Sequence, residues 1–177
     1  PSVGNQVTFQ TASSAPNGAT FNTSNIAGRD TLNSYLFYTT DISDLIVDGE
    51  VVSGSVQIKY DNPELLFSYP LTYQKTYSDS FTATYQANSM IYKRKGFNEV
   101  SVDGYGTLIL PSKTFSNLLR IKQVETILDS NTSGGADIAI LRTVYYWYRT
   151  IDKFPVFCVE IKTVGTTTNK FIYLNAV

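Results

Sequence analysis

Apolar side chains return at every second position along much of this chain, and that period settles the backbone class before composition is considered. Val56, Ile58 and Tyr60 alternate with Ser55, Gln57 and Lys59; Phe81, Ala83 and Tyr85 alternate with Thr82 and Thr84; Val100 and Val102 flank Ser101. Successive side chains of a strand point to opposite faces, so a period of two predicts strands buried on one face and wet on the other. Half-covered strands of this kind belong to antiparallel sheets. Helical spacing is confined to 116–128, where Leu118, Ile121, Val124 and Leu128 recur behind a possible N-cap at Ser116. The same residues also read as a bulged strand with Leu119, Ile121 and Gln123 on one face. Strand is the expectation, because everything around the segment is β.

Turn signals punctuate the alternation at Asn17-Gly18, Asp48-Gly49, Ser53-Gly54, Asp61-Asn62-Pro63, Lys95-Gly96, Asp103-Gly104 and Ser133-Gly134-Gly135. Asn-Gly and Asp-Gly tolerate the positive φ angles of tight hairpins. Two hairpins are predicted on this basis. One joins 90–94 to 97–102 through Lys95-Gly96, and the next joins 97–102 to 105–110 through Asp103-Gly104. Many short strands with regular turns predict an all-β fold, an antiparallel β-sandwich of jelly-roll-like type.

A length of 177 residues fits one domain, 1–177, and an apolar fraction of 42% is enough for a core. Residues 1–34 are rich in Ser, Thr, Asn and Gly, with Val7, Phe9, Phe21 and Ile26 as anchors, and are expected as loosely packed edge strands and loops. Charged residues are only 16% and the net charge is -1, so the basic footprint of a nucleic-acid binder is missing. The chain has no histidine and a single cysteine, Cys158. That excludes a Ser-His-Asp triad, a Cys-His dyad, an ordinary zinc site and an internal disulfide. Cys158, inside the apolar run 154–159, is expected as a small buried hydrophobe. No cofactor and no metal are expected. No apolar run reaches the roughly 20 residues of a membrane-spanning helix, so a membrane-spanning chain is not expected. The start at Pro1, with neither a charged nor an apolar leader region, reads as a mature, processed end.

Six runs stand out in order along the chain: 63–73 (PELLFSYPLTY), 77–81 (YSDSF), 102–112 (VDGYGTLILPS), 115–122 (FSNLLRIK), 145–148 (YYWY) and 153–156 (KFPV). Their series resembles the β-sandwich cargo domain of secreted Bacteroidota proteins exported by the type IX secretion system. The resemblance spans 63 to the C-terminus. It implies a secreted or outer-surface location and export through a C-terminal sorting domain that is not in this chain. It implies an address without an activity.

The residues that could carry chemistry are few. Glycosidases work with two carboxyl groups and need no histidine, which makes Asp41, Asp44, Asp48, Glu64, Glu99, Asp103 and Glu160 the candidates. Nothing in their spacing makes two of them converge, and Asp48 and Asp103 precede glycines as turn residues would. Asp41, Asp44 and Asp48 also invite a calcium reading, yet their spacing differs from an EF-hand and a solvated loop is expected. The aromatic run is the stronger signal. On a strand, Tyr145, Trp147 and Arg149 share one face and Tyr146 and Tyr148 the other. One face must be core, and the other would offer a platform for a sugar ring or a partner surface, with Tyr69, Tyr73, Tyr77 and Tyr85 as candidates to extend it. Lys93-Arg94-Lys95 is expected to be a solvated turn. Asp30-Thr31-Leu32 is similar to the O-glycosylation motif of Bacteroidota, which makes Thr31 a candidate modification site. These readings lead to a non-catalytic binding or adhesion module, with a polysaccharide or a surface protein as ligand. The alternatives are a carbohydrate-binding module or a structural subunit whose strand edges pair in an assembly.

Overall fold

The computed structural model describes residues 7–149, 151 and 155–174. It contains no α-helix among those residues. Eleven strands follow one another: β1 (Thr8–Thr11), β2 (Ile26–Arg29), β3 (Tyr35–Thr40), β4 (Asp44–Val52), β5 (Val56–Ser68), β6 (Thr76–Ala87), β7 (Met90–Ile109), β8 (Thr114–Asn131), β9 (Ile138–Arg149), β10 (Phe157–Val164) and β11 (Thr167–Leu174). Each pairs antiparallel with the next, giving one sheet in the order β1 to β11. The all-β, antiparallel expectation holds, and 116–128 lies within β8 as a strand. The jelly-roll expectation does not. That topology needs crossovers that bring distant strands together, whereas the described strands form a meander curled into a half-barrel.

The curl has a local cause at the junction of β5 and β6. Only Tyr60↔Ala83 and Asn62↔Thr82 pair there, and beyond them side chains replace the ladder. Asp79 Oδ2 accepts the Leu65 N–H at 2.7 Å, and Tyr77 donates its hydroxyl to Leu66 O at 2.7 Å while accepting from Ser68 N at 3.2 Å. Backbone groups that leave a ladder must find other partners, and these side chains supply them while letting the strands splay. The bend carries β5 over the far strands. Phe67 packs edge-on against Tyr146 and Tyr148 of β9, with ring centroids 5.2 and 6.1 Å away. The main core therefore joins Tyr38, Leu45, Val47, Ile58 and Phe67 to Phe81, Val100, Val102, Ile121 and Val144.

Four of the predicted turns are interior strand. β7 runs unbroken from Met90 to Ile109, so neither predicted hairpin exists. Gly96 lies in the ladder opposite Phe81 because a Cβ there would fall 2.1 Å from that ring. Asp103 is the extra residue of a bulge between Val102 and Gly104. The hairpin that does join β6 to β7 is the pair Asn88-Ser89, with φ of 49° and 64°. Positive φ at both central residues is the I′ geometry that matches strand twist. Asp48-Gly49 and Asp61-Asn62-Pro63 likewise lie inside β4 and β5, while Ser53-Gly54 does turn the chain between those strands.

The N-terminal segment is better packed than its composition implied. Ala12, Ala15, Phe21 and Ala27 are buried with Tyr35, Phe37 and Val51, and the rings of Phe21 and Phe37 stack at 4.0 Å. The edge strand β1 is exposed along its length, as expected of an edge.

Candidate outer-face groove and interior charge network

The pleat of β9 divides its aromatics as the alternation predicts. Tyr146 and Tyr148, 8% and 5% exposed, point into the main core. Neither is available as a platform. Tyr145 and Trp147 are half-buried on the outer face with Arg149. Tyr69 and Tyr77 pack against the core and Tyr85 stacks on Tyr92, so they do not extend the outer surface. Tyr73 does stay exposed, edge-on to Tyr105 at 5.0 Å.

Around Trp147 the outer face is a shaped site. Register places Gly104 of β7, Arg120 of β8, Trp147 of β9 and Phe157 of β10 side by side. Gly104, Tyr105, Gly106, Thr107, Leu118, Arg120 and Trp147 line a groove of about 250 Å³. Irregularities on either side of Tyr105 make it, one between Val102 and Gly104 and one between Gly106 and Leu108. The two glycines leave its floor bare: Gly106 has φ +149° and open space where a Cβ would stand. Tyr105 itself is 74% exposed. Arg120 is held in a fork, its Nε and Nη2 donating to the Asp103 carboxylate at 2.9 and 3.1 Å. The Asp103 hydrogen bond pushes the Arg120 guanidinium above its ordinary pKa. Asp103 is thus an ion-pair partner and not the turn residue its Asp-Gly context suggested. The Arg120 guanidinium also lies over the Tyr145 ring, 5.8 Å from its centroid. Trp147 is braced from the side by Phe157 on the neighbouring strand, edge-on at 5.3 Å, within a small cluster with Phe115, Leu118 and Val156.

The concave interior carries charge. Arg94, expected in a solvated turn, is buried. Its Nε and Nη2 grip Asp129 at 2.7 and 2.8 Å, and its Nη1 reaches Glu50 at 2.5 Å. Arg142 bridges Glu125 at 2.6 Å and Glu160 at 2.9 Å. Burial pushes the Glu160 carboxyl up, and Arg142 outweighs that and holds it below the ordinary range. Glu64, 3% exposed on β5, faces this pair across the curl and accepts Gln123 Nε2 at 2.9 Å. Burial above all, and Glu125 next, push its carboxyl well above the ordinary range. Glu64, Glu125 and the Arg142 guanidinium thus share one buried cluster, with the second carboxyl adding to the rise and the cation opposing it. The Asn98 amide, flanked in register by Asp79 and Glu125, leaves its Oδ1 without a partner.

The remaining candidates are scattered. Asp41 caps the backbone N–H groups of Ser43 and Asp44, hydrogen bonds that lower its pKa. Asp48 is buried and accepts Ser24 and Thr39 hydroxyls, each at 2.6 Å. Glu99 points outward on β7. Among the described residues no three His, Cys, Asp or Glu side chains come together as a metal site. Cys158 packs against the main core, and burial first of all pushes its thiol up. Thr31 is exposed in the turn between β2 and β3, where Asp30 Oδ1 accepts the N–H groups of Leu32 and Ser34.

Sequence reasoning put Tyr145 and Trp147 on one face and named Asp103 as a carboxylate that a turn would explain, but it did not single out Gly104, Gly106 or Arg120. The Asp-Gly-Tyr-Gly run was visible, and two glycines bracketing an aromatic within an alternating stretch are a bulge signal as much as a turn signal. No known protein family, curated protein or solved structure matches this chain.

Proposed function

We propose that the protein is a non-catalytic binding module that engages its ligand through the outer-face groove beside Trp147. The observation that carries this is the row Gly104, Arg120 and Trp147, which register brings side by side on the outer face. There a half-buried tryptophan stands beside a forked Arg-Asp pair, next to the bulge at Asp103. Such bulges re-aim side chains next to functional sites. Glu64, whose carboxyl is pushed well up, lies buried in the interior away from the groove, and that favours binding over catalysis.

The export reading is part of the same proposal. The chain is a cargo of the type IX pathway, secreted or held at the outer cell surface, and a sorting domain outside this sequence delivers it. What supports this is the resemblance over 63–177 and the exposed Asp30-Thr31-Leu32 turn, in which Thr31 would take a glycan. The curled sheet is read as sandwich-like, with β1–β5 one layer folded over β6–β11, on the strength of the Phe67 contacts with Tyr146 and Tyr148. A second reading, a subunit joined edge to edge, is favoured by β11, an eight-residue strand paired on one side only.

An array of surface glycans, matrix proteins and lipids, probed with wild type and Gly104→Val, tests the binding reading. One ligand class retaining wild type and releasing the variant is the expected result. Equal retention of both proteins would remove the groove from the proposal, and chemical turnover of a retained ligand would remove the word non-catalytic.

A further inference from the structure

We infer that the groove over Gly104 and Gly106 takes one pyranose unit of a neutral polysaccharide, with Arg120, held in place by Asp103, donating to sugar hydroxyls and the Trp147 ring against the apolar face of the sugar. The inference rests on the binding reading above and names the ligand class of that site.

Size comes first. About 250 Å³ is below the roughly 300–1,000 Å³ of sites that enclose drug-sized ligands and suits one sugar ring. The floor decides between an end group and an internal unit. A Cβ at Gly106 would meet nothing within 4 Å, so the site is open above its floor and a polymer can continue out of it.

Chemistry selects the class. Sugar rings pair apolar C–H faces with hydroxyls that both donate and accept. Trp147 supplies the apolar wall, held at a fixed angle by Phe157. Asp103 takes the Nε donor and one Nη2 donor of Arg120, so the guanidinium keeps further N–H donors for neighbouring hydroxyls. The fork fixes that pair in advance, which lowers the ordering cost of binding. Charge separates neutral from acidic polymers. Arg120 is the one charged residue in the lining, and Asp103 already compensates it. A uronate would find no second cation in the lining, since Lys122, opposite Tyr145, and Arg149, opposite Leu118, both stand outside it.

Trp147 is the single tryptophan of the chain, so its emission reports the site directly. Soluble β-glucan, mannan, xylan and galactan, with polygalacturonate and alginate as acidic counterparts, are titrated into wild type, Gly104→Val and Arg120→Ala at low and high salt. A Cβ at Gly104 would lie 3.5 Å from Arg120 Cβ, an ordinary contact, so valine fills the groove from its floor without entering the core. Thermal unfolding of both variants verifies their folds. The expected result is a saturable, salt-insensitive change with at least one neutral polymer, weakened about tenfold or more in each variant. No response to any neutral polymer overturns the inference. A response to acidic polymers alone, fading with salt and lost in Gly104→Val, overturns the neutral class and keeps the groove. Neutral-polymer binding that both variants leave unchanged removes the groove itself.

Discussion

Gly96 shows how one residue can be read two ways. Its Lys-Gly context suggests a turn, yet it is an interior strand residue whose missing side chain is the seat of the Phe81 ring. Gly96→Ala is expected to destabilise the protein by about 1–3 kcal/mol, the usual cost of forcing an atom into a packed site, measured by denaturant unfolding. The double variant with Phe81→Leu should recover part of that loss, and full additivity of the two changes would show that the ring and the glycine are not coupled. The alternation itself was legible at this scale: Phe81, Val100, Val102 and Tyr146 all face the core as their parity requires. The outer-face partners of Trp147 were not, because Asp103 and Arg120 lie on different strands and only register brings them together.

At the scale of elements, strands were read correctly and their ends were not. Asp-Gly and Lys-Gly mark turns only when the ladder stops, and β7 continues through both because β6 and β8 pair with it on either side. The true β6–β7 hairpin uses Asn88-Ser89, a pair with no glycine, which the turn signals could not reveal. The β5–β6 seam was equally hidden, since it depends on side chains that replace backbone bonds. Tyr77→Phe removes the hydroxyl that serves both Leu66 O and Ser68 N. The expected cost is about 1–3 kcal/mol for the buried groups left unmade, with faster hydrogen exchange at the Ser68 amide. Unchanged exchange there would mean that the seam does not rely on Tyr77.

The whole molecule should record its interior charges in the pH dependence of stability. Glu64 has a folded pKa raised by burial and by Glu125, with Arg142 opposing and Asp79 adding to the rise. A raised carboxyl contributes stability that is fully present below the unfolded value, about 4.3, and is lost as pH climbs towards the folded value. Wild type should therefore lose stability above about pH 4 from this group, by up to about 1.4 kcal/mol per pH unit. Glu64→Gln keeps the hydrogen-bonding shape without the titration, so its melting temperature should fall less over the same range. Parallel curves would mean that Glu64 is ionised in the fold. Glu160 acts in the opposite sense, since its lowered pKa gives stability that is lost as pH falls below the ordinary carboxylate range. None of this network was legible in advance, because Glu64 and Glu125 are 61 residues apart in the chain and meet only through the curl.

The unbroken succession from β1 to β11 also sets how the molecule can be built. Every strand's partner is the one made just before or just after it, so no segment waits for a distant complement to be synthesised. Closing short loops in turn costs far less at each step than joining remote ends. A chain arriving from one end, from a ribosome or through a narrow pore, can lengthen its ladder strand by strand, and only the folding of β5 over β9 must await the late arrivals.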